Sequence, residues 1–140
     1  MTKHVTLHHL VGHRFFAQND RGDKVMVDGD SPSTGLSPME LLLAALAGCT
    51  AYDVVDIMNK KRQPLARYRV EVEGERAESH PKRYVRIVVT HIGSGPEVTE
   101  AALLRSAQLS HEKYCSVAAS LSSPVEVRVV VEPWEAGAAG

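Results

Sequence analysis

The N-terminal stretch alternates apolar and polar positions through Val5, Leu7 and Leu10. It continues at Phe15 and Phe16, turns at Asn19-Asp20-Arg21-Gly22 and resumes at Val25 and Val27. Period-two alternation punctuated by turn residues predicts short strands. Asp28 to Gly35 (DGDSPSTG) has the Gly, Pro, Ser and Asp content of a loop. Ser37-Pro38-Met39-Glu40 then combines an N-cap hydroxyl, a Pro at the first helical position and a Glu placed to close a capping box with Ser37. The predicted helix runs through LLLAALAGCTAYDVVDIMNKKR, ends in basic residues that suit its C-terminal dipole, and stops before Pro64. Its first half is apolar on every side, which calls for burial all round. A two-layer domain of this size supplies too little cover, and a dimer is the simplest remedy.

Farther along, Tyr68, Val70 and Val72 alternate with Arg69, Glu71 and Glu73, and Tyr84 to Ile92 (YVRIVVTHI) is β-branched. Two strands around the polar loop from Gly74 to Lys82 follow, paired as an antiparallel hairpin. After Gly93-Ser94-Gly95-Pro96, helical spacing runs from Val98 to Leu109, and Tyr114 to Leu121 either continues that helix or begins another, with the boundary near Ser110 left open. Val125, Val127, Val129 and Val131 alternate with Glu126 and Arg128 in a last strand, and Glu135 to Gly140 reads as a frayed tail. The element order gives an α+β class.

Composition narrows the picture. A chain of 140 residues has room for one ordinary domain, so residues 1–140 are read as a single unit. The net charge of -1, from 16 basic and 17 acidic residues scattered along the chain, offers no footprint for nucleic acid or an anionic membrane. The apolar run Leu41 to Cys49 is far shorter than the roughly 20 residues of a membrane helix. MTKHVTLHHL lacks a signal-peptide core, which leads to an expected cytoplasmic location. Two cysteines 66 positions apart do not make the dense disulfide framework of a small secreted domain. In a reducing compartment they are either inert and buried or redox-active, and composition alone favours the inert reading, because free Cys is among the most buried residue types.

The motifs favour the second reading. Ser37-Pro38-Met39-Glu40-Leu41-Leu42-Leu43-Ala44-Ala45-Leu46-Ala47-Gly48-Cys49-Thr50, followed by Asp53-Val54-Val55, resembles the first cysteine motif of the OsmC/Ohr superfamily. Glu112-Lys113-Tyr114-Cys115-Ser116-Val117 is similar to the second, and the wording of both blocks looks closest to the less characterised OsmC-like branch. The resemblance covers most of the chain. It implies an OsmC-like fold in which antiparallel sheets wrap long central helices in an intertwined homodimer, with a cysteine pair in each of two interface sites.

The implied chemistry is thiol-dependent reduction of organic hydroperoxides, with Cys49 attacking, Cys115 resolving and an external dithiol regenerating the pair. No cofactor or metal is implied, and His4, His8, His9 and His13 form no recognised ligand spacing with the cysteines. Cys49 lies about three turns into its helix, beyond much help from the N-terminal dipole, and Asp53 follows one turn later. A cation is therefore needed. Val11-Gly12-His13-Arg14 resembles the stretch that supplies an Arg in the hydroperoxide reductases of the superfamily, which places Arg14 in that role. The acidic partner of that Arg matches Met39, and Glu40 lies one position later, available either to the site or to the capping box. Ser116 stands where relatives commonly carry Pro. His111 could donate to the site or sit on a helix surface, Tyr52 is expected in the core, and Met39 and Leu42 could line an apolar pocket. The alternative is a protein of the same scaffold that binds a small apolar ligand or responds to redox state without efficient peroxide turnover.

Overall fold

The computed structural model describes Met1 to Ala136, so the tail expected from Glu135 lies mostly outside the described residues. Contacts divide the chain within its long helix into two compact units, Met1–Leu42 and Leu43–Gly140.

In the first unit β1 (Val5–Val11), β2 (Arg14–Asn19) and β3 (Lys24–Asp28) form an antiparallel meander in that order. The β1–β2 turn places Gly12 at φ +57°, a left-handed conformation that glycine adopts without steric cost. Aromatic pairing follows the register, with His8 stacked on Phe16 at 4.7 Å and His9 tilted on Phe15 at 5.1 Å. Every residue of β1 is exposed, including Val5, Leu7, Leu10 and Val11.

The helix α1 spans Pro38–Lys60 and starts as the sequence predicts. The Glu40 carboxylate accepts the Ser37 N–H at 2.9 Å while the Ser37 hydroxyl accepts the Glu40 N–H at 3.3 Å, closing the capping box. The helix ends two residues before the predicted Arg62. Arg62 adopts φ +58°, and the N–H groups of Arg62 and Gln63 return to the carbonyls of Asn59 and Met58, a Schellman ending.

The second unit is built on β4 (Arg67–Arg76), β5 (Tyr84–Ser94) and β6 (Val125–Val131). β5 lies in the middle, antiparallel to β4 as predicted and parallel to β6. The chain crosses from β5 to β6 through α2 (Glu100–Leu109), a π-helical turn (Ser110–Tyr114) and α3 (Ser116–Ser120). The turn settles the open boundary near Ser110 as a break between two helices. Alternation along β4 and β6 puts Tyr68, Val70 and Val72, then Val127, Val129 and Val131, on the half-buried face. Against the sheet and α2 pack Val54 and Met58 of α1, with Leu103 and Ala107 completing a fully buried cluster. Burial of such side chains is worth roughly 1.5–3 kcal/mol each for the larger ones.

Within the second unit α1 buries one stripe, Leu46, Thr50, Val54 and Met58, at intervals of four. The opposite face carries Ala44, Ala45, Gly48, Tyr52, Val55 and Asp56, all exposed. Tyr52, expected in the core, is 79% exposed because it lies away from the stripe that meets the sheet. The all-round burial expected of this helix is therefore not provided by a single chain. The apolar run Leu41 to Cys49 is too short for a membrane span. The helix as folded is nevertheless long and apolar enough to cross one by length and composition, with a mean hydropathy of 1.7 over its best 18 residues. The difference arises because Val54, Val55, Ile57 and Met58 extend the apolar character beyond Cys49.

Candidate active site

Cys49 sits midway along α1, half-buried, one turn from the buried Leu46 and next to the buried Thr50. Cys115 links the π-helical turn to α3. The turn arises because the Cys115 N–H reaches back five residues to the Ser110 carbonyl, at 2.7 Å. Immediately afterwards Cys115 acts as the cap of α3, its Sγ accepting the Ala118 N–H at 3.4 Å. The thiols of Cys49 and Cys115 lie near enough for the first to raise the pKa of the second, and both cysteines are free. The pair that the sequence reading separated by 66 positions is thus brought together.

The two thiols differ in surroundings. Burial pushes the Cys115 thiol up to about 11. The Ala118 N–H opposes that rise, and the Cys49 thiol beside it adds to it. Cys115 is 3% exposed, so its proton is held until a partner removes it, whereas Cys49 is more open. Asp53, one turn beyond Cys49, does not stand unpartnered: the Ser110 hydroxyl donates to its Oδ2 at 2.7 Å.

A cavity of about 10 Å³ adjoins Cys115, its wall including Leu46, Thr50, His91 and His111, with Val89 of β5 and Val127 of β6. That is the lower limit for one water molecule. His111 therefore joins the wall of the cysteine site. His91 was not singled out from sequence. It is 1% exposed, its Nδ1 lies 2.7 Å from the Tyr68 hydroxyl, and the two rings stack. Burial lowers the His91 pKa from 6.5 to about 4 and raises that of Tyr68. A period-two strand pattern marks His91 only as inward-facing, and its partner 23 residues away gives no local signal.

The other expected site residues belong to the Met1–Leu42 unit, where each has partners of its own. Arg14 opens β2 and donates through Nε to Asp28 Oδ2 at 3.2 Å and through its terminal nitrogen to the Pro32 carbonyl at 2.6 Å. Asp28 also accepts the N–H groups of Asp30 and Thr34 and the Thr34 hydroxyl. These contacts, the Thr34 N–H foremost, hold its carboxyl at about 2 against the opposing effect of burial. Asp28 is thus the acidic partner of Arg14, a residue the sequence reading assigned only to a loop. Glu40 is occupied by the capping box, whose Ser37 N–H depresses its carboxyl below the ordinary range.

Comparison with known proteins agrees with this architecture. Residues 29–130 match the family described as OsmC-like protein. Protein YhfA of Escherichia coli (strain K12) is 38% identical over 116 residues, 83% of this chain and 87% of that protein. A hypothetical protein from Aquifex aeolicus VF5 superposes with a TM-score of 0.85 and 34% identity, covering 96% of this chain and 99% of that one. The organic hydroperoxide resistance protein OhrB of Bacillus subtilis shares the fold, with a TM-score of 0.62 at 16% identity over 94% of this chain and 98% of that one. With the family match spanning the helix of Cys49, β4, β5, most of β6 and the turn of Cys115, the chain belongs to the OsmC-like protein family.

Proposed function

We propose that this protein reduces organic hydroperoxides through Cys49 and Cys115, working as one OsmC-like domain in an intertwined homodimer. The observation that carries the reading is the proximity of the two thiols, one buried and one more open, close enough for Cys49 to act on the Cys115 pKa. The Cys49 thiolate attacks the distal peroxide oxygen, the O–O bond breaks, and the alkoxide leaves as an alcohol after taking a proton. Cys49 is then a sulfenic acid. The Cys115 sulfur attacks that sulfur, the S–S bond forms, and the hydroxide departs with the Cys115 proton as water. An external dithiol returns two electrons by exchange. The expected cytoplasmic location would keep the resting pair reduced.

Support for the homodimer comes from the open face of α1 and the fully exposed β1, both apolar and both left uncovered by a single chain. The family resemblance also assigns Arg14 as the activating cation and Glu40 as its acidic companion. Their contacts to Asp28 and Ser37 give both a structural role, so catalytic participation is read from turnover by Arg14→Met and Glu40→Gln.

The test is to treat the purified protein with a slight excess of cumene hydroperoxide, then measure intact mass and peptide linkage. A Cys49–Cys115 disulfide is expected in the wild type, a sulfenic acid on Cys49 in Cys115→Ser, and no turnover in Cys49→Ser. Absence of oxidation at either cysteine sinks the reading. A second reading, a redox-responsive or ligand-binding protein without efficient turnover, is favoured by the high pKa of Cys115, which slows its attack on a sulfenic acid. The cavity beside Cys115 is too small for an apolar ligand within one chain, which favours the redox-responsive form of that reading. Native mass spectrometry separates the two: a small molecule retained by the double cysteine-to-serine variant indicates binding.

A further inference from the structure

Asp53 follows Cys49 by one turn of α1, and Ser110 opens the π-helical turn that ends at Cys115. The Ser110 side chain donates to Asp53 Oδ2 at 2.7 Å, and the Ser110 carbonyl accepts the Cys115 N–H, also at 2.7 Å. Ser110 has no exposed surface. One buried residue therefore grips both the helix that carries the first thiol and the backbone of the second. We infer that Asp53 and Ser110 form a positioning strut that holds Cys115 against Cys49 and sets how readily the pair closes to a disulfide.

The physical case has three parts. A carboxylate one turn from a reactive thiol opposes thiolate formation, so a carboxylate at this position needs a compensating use. The hydrogen bond to Ser110 supplies it, because a charged acceptor makes a shorter and stronger bond than a neutral one. The π-helical turn closes on the Ser110 carbonyl, so whatever anchors Ser110 anchors the turn, and closely held reacting groups gain effective concentration. The hydroxyl is also the group that satisfies Asp53 where it meets α2 and the turn.

This inference rests on the redox-pair reading, yet its test needs no peroxide. The protein is equilibrated with mixtures of oxidised and reduced dithiothreitol. The Cys49–Cys115 bond forms as the reagent's disulfide breaks, and two electrons and two protons pass to the reagent. Ser110→Ala and Asp53→Ala are expected to weaken the protein disulfide about tenfold, a rise in reduction potential of about 30 mV. Asp53→Asn, whose amide oxygen still accepts from Ser110, is expected to restore most of the difference. In a Cys115→Ser background Ser110→Ala is expected to leave the alkylation rate of Cys49 unaltered, which a general loosening of the fold would not. Equal potentials for the wild type, Ser110→Ala and Asp53→Ala overturn the strut, as does a potential for Asp53→Asn no lower than that of Asp53→Ala. A wild type that forms no Cys49–Cys115 disulfide overturns the strut and the redox pair together. Normal closure without peroxide turnover removes the peroxidase reading alone.

Discussion

At the scale of single residues, the group with the clearest measurable consequence is His91. Its ring is buried, stacked on Tyr68 and hydrogen-bonded to that hydroxyl, and burial lowers its pKa from 6.5 to about 4. The unfolded chain takes up a proton near pH 6.5 and the folded chain only near pH 4, so the unfolded state binds more protons between those values. Stability is therefore full above about pH 6.5 and falls as the pH drops toward 4, by up to about 3 kcal/mol. Urea midpoints between pH 7 and pH 4 should show this slope, and His91→Gln should flatten it whatever that variant does to stability at pH 7. A slope that persists in His91→Gln assigns the loss to other groups. Cys115 shows what context adds to a motif: burial around it raises its thiol pKa to about 11.

At the scale of elements, most boundaries were legible because they rest on interactions between near neighbours. Ser37 and Glu40 are three positions apart and close the predicted capping box, and the alternation of β4 and β6 follows from the two-residue period of a strand. The end of α1 was less legible. The sequence carries basic residues through Arg62, yet the chain turns there by placing an Arg in the left-handed region, where glycine is the usual occupant. Arg62→Gly should therefore stabilise the fold by about 0.5–1 kcal/mol, the relief of side-chain crowding exceeding the added freedom of the unfolded glycine. Thermal unfolding of the variant reads this directly, and a lower melting temperature would refute it. The π-helical turn was illegible for a related reason. Helical spacing continues on both sides of Ser110, and the break depends on backbone bonds that reach five residues back instead of four, as from the Cys115 N–H to the Ser110 carbonyl.

At the scale of the whole molecule, the sequence signalled a helix with more apolar surface than one chain covers. The structure specifies that surface: Ala44, Ala45, Gly48, Tyr52 and Val55 form an open stripe, and a side chain added at Gly48 would meet nothing within 4 Å. If the homodimer covers this stripe, the wild type sediments as a dimer and its melting temperature rises with protein concentration. Charges at its centre, as in Tyr52→Glu with Val55→Glu, should leave monomers of lower stability. A wild type that sediments as a monomer at micromolar concentration contradicts the dimer. Tyr52 and Val55 are both exposed in the single chain, so their replacement removes little of its own packing.

The amino-acid sequence by itself determined the kinds and order of the elements, the start of α1 and the identity of the two cysteine motifs. Those features are written in residues a few positions apart or in the short blocks around each cysteine. Tertiary structure alone decided what lies beside what: Cys49 near Cys115, Asp53 with Ser110, Tyr68 with His91 and Arg14 with Asp28. It also decided that β6 runs parallel to β5. These pairs join positions 14 to 66 residues apart. Hydrophobic periodicity assigns each residue to a face, but the choice of partner on that face depends on sheet order and on the packing of α1 and the crossover against it. Arg14 and Glu40 illustrate the division: the pairing of Glu40 with Ser37 was readable from their spacing, whereas only the folded chain paired Arg14 with Asp28.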